Sequence, residues 1–173
     1  ADFPRALNAA QVLMQAGAQM IKMEGAQWLA PIIHRLAQCD VPICAHIGYT
    51  PQSLHRFGQP TLVGKTQDQA ETLIETAHCL AKAGASMMIL ECVPDHIAKQ
   101  LTHDLPCPVI GIGAGPDCDG QILVSYDALG LTPGALPPFA HCFLDAEHPC
   151  ILDALKAYKH AVRAHTFPQR RIT

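Results

Sequence analysis

Four side chains that could do acid–base or ligand chemistry fall in short apolar segments: Lys22, Glu24, His46 and Glu91. Alternate residues of a β-strand share a face, so Lys22 and Glu24 point the same way if their segment is a strand. Glu91 ends a similar segment in the equivalent position, and His46 can join the same face. Carboxylates, a lysine and a histidine together can bind an anionic substrate, ligate a cation or transfer a proton.

A purely structural interpretation of these residues stays open. Lys22 and Glu24 could form an ion pair that satisfies only itself, Glu91 could cap a neighbouring helix, and His46 could be an ordinary core histidine. Burying charges costs several kcal/mol unless they are paired, so the convergence of two acidic strand ends with a lysine and a histidine favours a site.

An internal repeat indicates which elements position these residues. Gln15 to Glu24 resembles Lys82 to Glu91, and Val41 to Gly48 resembles Cys107 to Ala114, both at an offset of about 66 residues. Each copy reads as helix, Ala-Gly-Ala turn, apolar strand, helix and Pro-led strand, which is a pair of βα modules. The predicted strands are Met20 to Glu24, Pro42 to Ile47, Met87 to Glu91, Pro108 to Ile112 and a fifth over Gln121 to Ser125.

Capping residues and amphipathic spacing predict the helices between these strands. Thr66 and Gln69 have the spacing of a capping box, and Gly84 has the position expected after a helix end. Pro94 suits a first helical turn. The predicted helices are Leu7 to Gln15, Gln27 to Gln38, Thr66 to Ala83, Pro94 to His103 and Pro149 to His165.

Alternating strands and helices fit either a doubly wound open sheet or a closed eight-stranded barrel. The repeat favours the (β/α)8 TIM barrel, since four double modules need roughly 260 residues, the usual size of that fold. A chain of 173 residues then holds about five of the eight strands, lacking those at the N-terminal side. We expect one α/β domain over 1–173, the C-terminal portion of a barrel, with a helical extension over 133–173. Active sites of this fold lie at the carboxyl ends of the strands.

The segment Gly111 to Gly115 superficially resembles a dinucleotide-binding loop. The fingerprint G-x-G-x-x-G requires glycine at position 116, where this chain has proline. A glycine-rich barrel loop that lets substrate approach the backbone is favoured, and plain turn formation stays open.

Composition excludes several classes of partner. The formal net charge is −3 and 49% of the residues are hydrophobic, which gives no basic surface for nucleic acid or membrane. No apolar run has the ~20 residues of a membrane-spanning helix, and the chain start lacks the form of a signal peptide, so we expect a cytoplasmic protein. The eight cysteines lie singly, without metal-binding spacing, and are interpreted as free thiols.

Five longer motifs carry a family resemblance. The chain resembles the ketopantoate hydroxymethyltransferase family in Ile21-Lys-Met-Glu-Gly25, Ala45-His-Ile-Gly-Tyr-Thr-Pro-Gln-Ser53, Leu90-Glu-Cys-Val-Pro94, Val109-Ile-Gly-Ile-Gly-Ala-Gly115 and Asp119-Gly-Gln-Ile-Leu-Val124 with Asp127-Ala-Leu-Gly130.

The resemblance implies a TIM barrel that binds Mg²⁺ and transfers a hydroxymethyl group from 5,10-methylenetetrahydrofolate to 3-methyl-2-oxobutanoate, giving 2-dehydropantoate in pantothenate synthesis. It implies that Glu24 is a metal ligand, Lys22 contacts the 2-oxo acid, Glu91 is the proton acceptor, and His46 is an active-site histidine. The implied partners are the 2-oxo acid, the folate and further copies of the chain in a homo-oligomer.

Two departures and two rivals accompany the resemblance. The family's two metal-binding aspartates match no position of this chain, so we expect at most a damaged metal site here. One rival is a Mg²⁺-dependent enzyme of the phosphoenolpyruvate mutase and isocitrate lyase group, against which the Thr-Pro-Gln-Ser motif argues. The other is an inactive fragment or assembly module. In addition, Pro138 and His141 stand where the family often has lysine, which weakens the expectation for folate or subunit contacts.

Overall fold

In the computed structural model, which describes residues 2–53 and 61–169, five strands form one parallel sheet. The strands lie in the sheet in the order in which they follow along the chain, so each pairs with its sequence neighbours. They are β1 (Ile21–Glu24), β2 (Ile43–Gly48), β3 (Met87–Glu91), β4 (Val109–Ile112) and β5 (Gly120–Gln121).

This sequential order distinguishes between the two architectures that the pattern allowed. A doubly wound sheet reverses its strand order at a switch point, whereas a barrel adds each strand beside the previous one. The described part of the chain is therefore an α/β fold with the strand order of a barrel segment.

Six α-helices accompany the sheet in the described residues, and the first four alternate with its strands. They are α1 (Phe3–Gln15), α2 (Ala30–Ala37), α3 (Gln67–Lys82), α4 (Asp95–Asp104), α5 (Ser125–Ala128) and α6 (Ile151–Arg163). None of the helices that the structure describes combines the length and apolarity of a membrane-crossing segment.

The predicted repeat is confirmed at its Ala-Gly-Ala turns. α1 is capped at its carboxyl end by Ala16 and α3 by Ala83, and the glycine that follows each has a positive φ, +104° at Gly17 and +111° at Gly84. Glycine adopts this left-handed conformation without a steric cost, so it ends both helices and directs the chain into the next strand.

Several predicted boundaries were wrong for local reasons. The predicted helix Gln27 to Gln38 is a 3-10 turn (Gln27–Leu29) followed by α2, because Pro31 has no N–H and fits only the first turn of an α-helix. The predicted strand Gln121 to Ser125 is also wrong. Strand pairing ends at Gln121, and Ser125 begins α5.

The starts of helices α3 and α4 also differ in detail from the prediction. Thr66 caps α3 by accepting from the Gln69 N–H at 3.4 Å, but the Gln69 side chain accepts from the Lys65 N–H at 3.2 Å and leaves the predicted capping box half formed. Pro94 is the N-cap of α4, with an extended ψ of 135°, and the first turn begins at Asp95.

The main apolar core lies between the helices and one face of the sheet. Alternate strand residues supply it, including Ile43, Ala45 and Ile47 of β2, all at most 1% exposed. A smaller cluster covers the opposite face around Cys44, Ile89 and Ile112. A third, separate cluster lies beneath α6 and contains Ala128, Phe143, Ala154 and Phe167. The sheet therefore presents one face to its helices and a second face that is partly polar.

Candidate active site

The four residues singled out in the sequence lie on the sheet face that points away from the helices. Glu24 pairs in register with His46 across β1 and β2, and Glu91 ends β3 beside Gly48 of β2. Their side chains alternate with core residues such as Ile47 and Leu90, which is the phase predicted from the two-residue strand period. The site thus stands at the carboxyl ends of three adjacent parallel strands.

Lys22 and Glu24 form a close ion pair within β1. The Lys22 Nζ lies 2.6 Å from the Glu24 Oε1, and the Gln52 N–H donates to the Glu24 Oε2 at 3.3 Å. Burial by itself raises the pKa of the Glu24 carboxyl, but the Lys22 hydrogen bond, the Gln52 hydrogen bond and the nearby charges outweigh it and hold that pKa below its usual value. Glu24 is therefore a carboxylate at neutral pH.

His46 lies between the two carboxylates. Its Nε2 is 3.0 Å from the Glu91 Oε2, and its Nδ1 is 3.5 Å from the Glu24 Oε1. The imidazole is 4% exposed, and within the described chain neither ring nitrogen has a partner in hydrogen-bond geometry, in spite of these short distances. A buried polar group without a well-formed hydrogen bond is costly, which is typical of a site that completes its bonding with a ligand.

The Glu91 backbone is fixed on both sides by features that the sequence did not reveal. Its carbonyl accepts from the Tyr49 N–H at 2.8 Å, and the next residue, Cys92, has a φ of +50°. The Cys92 N–H donates to the Ile112 carbonyl at 3.0 Å, which holds this unusual turn in place. Non-glycine residues in the left-handed region are uncommon and cluster at functional sites. The Glu91 side chain, which is 13% exposed, stands directly before this turn, with its carboxylate next to His46.

Gly48 permits the close approach of β2 and β3 at this point. A Cβ on Gly48 would lie 2.2 Å from the Glu91 carbonyl oxygen, and the residue has a φ of +89°. Sequence reasoning gave Gly48 no role, although its place directly after an apolar strand was the available signal.

The observed contacts bear on the structural alternatives for these residues. Lys22 and Glu24 do pair, but His46 and Glu91 join them, so the pair is not isolated. Glu91 does not cap α4, whose N-cap is Pro94 without a side-chain hydrogen bond. In the glycine-rich loop, Gly113 and Gly115 have positive φ values.

The cysteines bear out their interpretation as free thiols. All eight are unpaired. Burial raises the pKa of Cys44 to about 11 and that of Cys92 to about 12. Cys92 stands directly beside Glu91 in the chain, and this raised pKa favours the protonated thiol at neutral pH.

The described residues do not form a magnesium site on their own. Within 2–53 and 61–169, no three His, Cys, Asp or Glu side chains are arranged to hold a metal ion. Both Glu24 oxygens already accept from nitrogen donors. Glu24 offers one hard oxygen ligand, whereas Mg²⁺ demands six oxygen ligands in near-ideal octahedral geometry.

Fold and site together define the class of this protein: a parallel α/β protein with a lysine, a histidine and two carboxylates at the carboxyl ends of its strands. The model of the ketopantoate hydroxymethyltransferase family matches residues 1–170. The chain belongs to that family.

Curated relatives agree with this assignment. The chain is 48% identical over 163 residues to 3-methyl-2-oxobutanoate hydroxymethyltransferase 1 of Burkholderia ambifaria, covering 94% of this chain and 60% of the relative. It is 48% identical to 3-methyl-2-oxobutanoate hydroxymethyltransferase 2 of Hahella chejuensis, covering 95% and 62%, and 46% identical to the enzyme of Acinetobacter baylyi, covering 100% and 65%. The chain thus spans about three-fifths of the length of these relatives.

Proposed function

We propose that the protein transfers a hydroxymethyl group from 5,10-methylenetetrahydrofolate to 3-methyl-2-oxobutanoate and forms 2-dehydropantoate. Family membership and the names of the relatives support this reaction. The observation that carries it is the position of Glu91, a carboxylate at a strand end 3.0 Å from a buried histidine and on the same face as a lysine. We propose a complete (β/α)8 barrel for the whole protein, since the sequential parallel order of the five strands supports it.

Lys22 binds the carboxylate of the 2-oxo acid in this proposal. Its side chain is 48% exposed, and its ammonium group has three N–H donors, of which one is directed to Glu24. Among residues 2–53 and 61–169 the remaining donors have no partner, so they can bind an anionic group that approaches from solvent. Substrate binding thus uses the N–H donors of Lys22 that are not directed to Glu24.

Glu91 removes the proton from C3 of the bound acid. The C–H electron pair moves into the bond between C3 and C2, and the oxo oxygen takes up the negative charge as an enolate. Glu91 becomes neutral, and the adjacent His46 lies close enough to donate to the carboxyl group. The partial burial of Glu91 keeps competing water away from the transferred proton.

The enolate C3 then forms a bond to the one-carbon unit of the folate. A water molecule supplies the hydroxyl oxygen, and both carbon–nitrogen bonds of the methylene bridge break. The two folate nitrogens each take up a proton, one from that water and one from Glu91, which returns to its carboxylate form, and tetrahydrofolate leaves. The product carries a new hydroxymethyl group on C3.

The proposal includes magnesium and folate because the family resemblance implies them. When bound, Mg²⁺ would polarise the oxo group of the substrate. The described residues offer it only Glu24, so no step is derived through the metal. We also propose a homo-oligomeric, cytoplasmic enzyme whose partners are the 2-oxo acid and the folate.

Hydrogen exchange at C3 tests the proposal. We expect the product of the complete reading frame that encodes this chain to exchange the C3 proton of 3-methyl-2-oxobutanoate for deuterium in a Mg²⁺-dependent manner, followed by proton NMR. Glu91→Gln should reduce the rate by a factor of ~10² or more, since the amide cannot accept the proton. Lys99→Met, a change on the exposed surface of α4, is the control.

The 173-residue chain by itself should show little exchange, because its metal site is incomplete. Robust exchange by that chain alone would refute the expectation that its metal site is incomplete. Absence of exchange by the complete product would refute the proposed reaction and favour an assembly module.

A further inference from the structure

The surroundings of Glu91 differ sharply between its two sides. Towards β1 and β2 lie the charged and polar groups Lys22, Glu24 and His46. Directly beside Glu91 on β2 stands Gly48, which has no side chain, while on β4 its register partner is Ile112. The carboxylate therefore stands at a boundary between a polar and an apolar half of the same sheet face.

The apolar half is a built cluster. Ile89 of β3 and Ile112 of β4 are 8% and 6% exposed, and Ile110 and Phe139 pack against the cluster that contains them. Ile89 precedes Glu91 by two residues on the same strand face, so the cluster reaches the carboxylate both along β3 and across from β4.

Phe139 comes from outside the sheet and is seated by a glycine. A Cβ added to Gly113 would lie 2.7 Å from the Cδ1 of the Phe139 ring, so the ring rests directly on the Gly113 backbone. Phe139 is only partly buried and thus presents apolar surface at the edge of the cluster, on the side of β4.

A molecule that fits this surface has an anionic end, an acidic C–H bond in the middle and a branched alkyl end. We infer that Phe139 and Ile112 form the subsite for the C3 alkyl substituents of the 2-oxo acid and that Phe139 sets their maximum size. This inference rests on the proposed function, because it uses Glu91 as the proton acceptor and Lys22 as the carboxylate ligand. With the carboxylate at Lys22 and the C3 proton at Glu91, the substituents of C3 extend towards β4.

The test compares two 2-oxo acids that both carry a C3 proton. 3-Methyl-2-oxopentanoate has one methylene more than 3-methyl-2-oxobutanoate, and kcat/KM for C3 deuterium exchange is measured for each with the product of the complete reading frame. Phe139→Leu and Phe139→Ala should raise the ratio in favour of the longer acid by about fivefold or more, since one methylene in an apolar pocket changes recognition by roughly that factor or above.

Ile112→Val provides a second enlargement that does not depend on Phe139, and it should shift the ratio in the same direction. Tyr126→Ala is the matched control, since it also removes an aromatic ring but from a side chain that is 60% exposed and outside the cluster. Its ratio should equal that of the wild type. Lys22→Met should weaken both acids alike and leave the ratio unchanged.

The outcomes separate this inference from the reaction itself. If the wild type exchanges both acids and neither Phe139→Leu nor Ile112→Val changes the ratio, the alkyl subsite is refuted and the reaction stands. If the wild type exchanges neither acid, the reaction is refuted, and the subsite with it.

Discussion

At the scale of single residues, the Lys22 and Glu24 pair links the site to pH. The pKa of Glu24 is lowered on folding, so its contribution to stability is complete above its unfolded value near 4.5 and is lost as the pH falls through the lower folded value. Lys22→Met removes the nearest positive charge, so we expect a smaller loss of the free energy of unfolding over this acidic range. Urea unfolding between about pH 3 and 6 measures it.

Lys99→Met serves as the control for this prediction. Lys99 faces Asp117 at 4.0 Å with a side chain that is 67% exposed, and such pairs contribute little. Identical pH profiles for wild type and Lys22→Met would show that Lys22 does not lower the pKa of Glu24.

The common strand face of the candidate site residues could be predicted from the sequence. The backbone features that hold these residues in place could not. The shared face of Lys22, Glu24 and Glu91 follows from the two-residue period of a strand, which is visible in the sequence. Gly48 and Cys92 act through backbone angles, and a single sequence does not state which φ a residue must adopt. The Phe139 ring reaches the cluster of Cys44, Ile89 and Ile112 through tertiary packing on Gly113, for which no local pattern exists.

At the scale of elements, the contact between β2 and β3 depends on Gly48. We expect Gly48→Ala to lower the free energy of unfolding by about 3 kcal/mol or more, because its Cβ would overlap the Glu91 carbonyl and its φ of +89° is strained for alanine. Equilibrium urea unfolding gives the difference.

Gly134→Ala is a matched control for this change. Gly134 has nearly the same φ, +88°, but a Cβ there would meet nothing within 4 Å. Its cost should be limited to the backbone strain of about 1 kcal/mol. Equal losses for the two variants would show that the contact with the Glu91 carbonyl is unimportant.

Element types were easier to predict than element ends. The repeat and the apolar runs identified four strands correctly, because their buried faces leave a strong pattern. The fifth strand was misplaced, since the apolar run Ile122 to Val124 that predicted it lies after β5 and before α5. Pro31 marked the start of α2, but the 3-10 turn before it has no distinct sequence pattern.

At the scale of the whole molecule, the C-terminal helix is fastened to the sheet at one edge. The Tyr158 hydroxyl donates to the Gln121 carbonyl of β5 at 2.7 Å, above the cluster that contains Phe143 and Phe167. Tyr158→Phe should cost about 1 kcal/mol and speed amide exchange in α6, while amides of β2 stay protected. Hydrogen–deuterium exchange with mass spectrometry resolves the two regions.

Tyr126→Phe is the control. The Tyr126 side chain is 60% exposed and belongs neither to the main apolar core nor to the cluster beneath α6. Faster exchange in β2 as well as in α6 for Tyr158→Phe would contradict the prediction and show that the helix and the sheet open as one unit.

The sequential strand order has a consequence for how the chain folds. Every strand pairs with the strand before or after it, so each pairing closes only the segment between two strands that are consecutive in the chain. Loop-closure entropy rises with separation, so pairing neighbours costs less than pairing strands that lie further apart in the chain. Such a sheet can grow strand by strand as the polypeptide leaves the ribosome, with Glu24 and His46 already side by side before Glu91 has been synthesised.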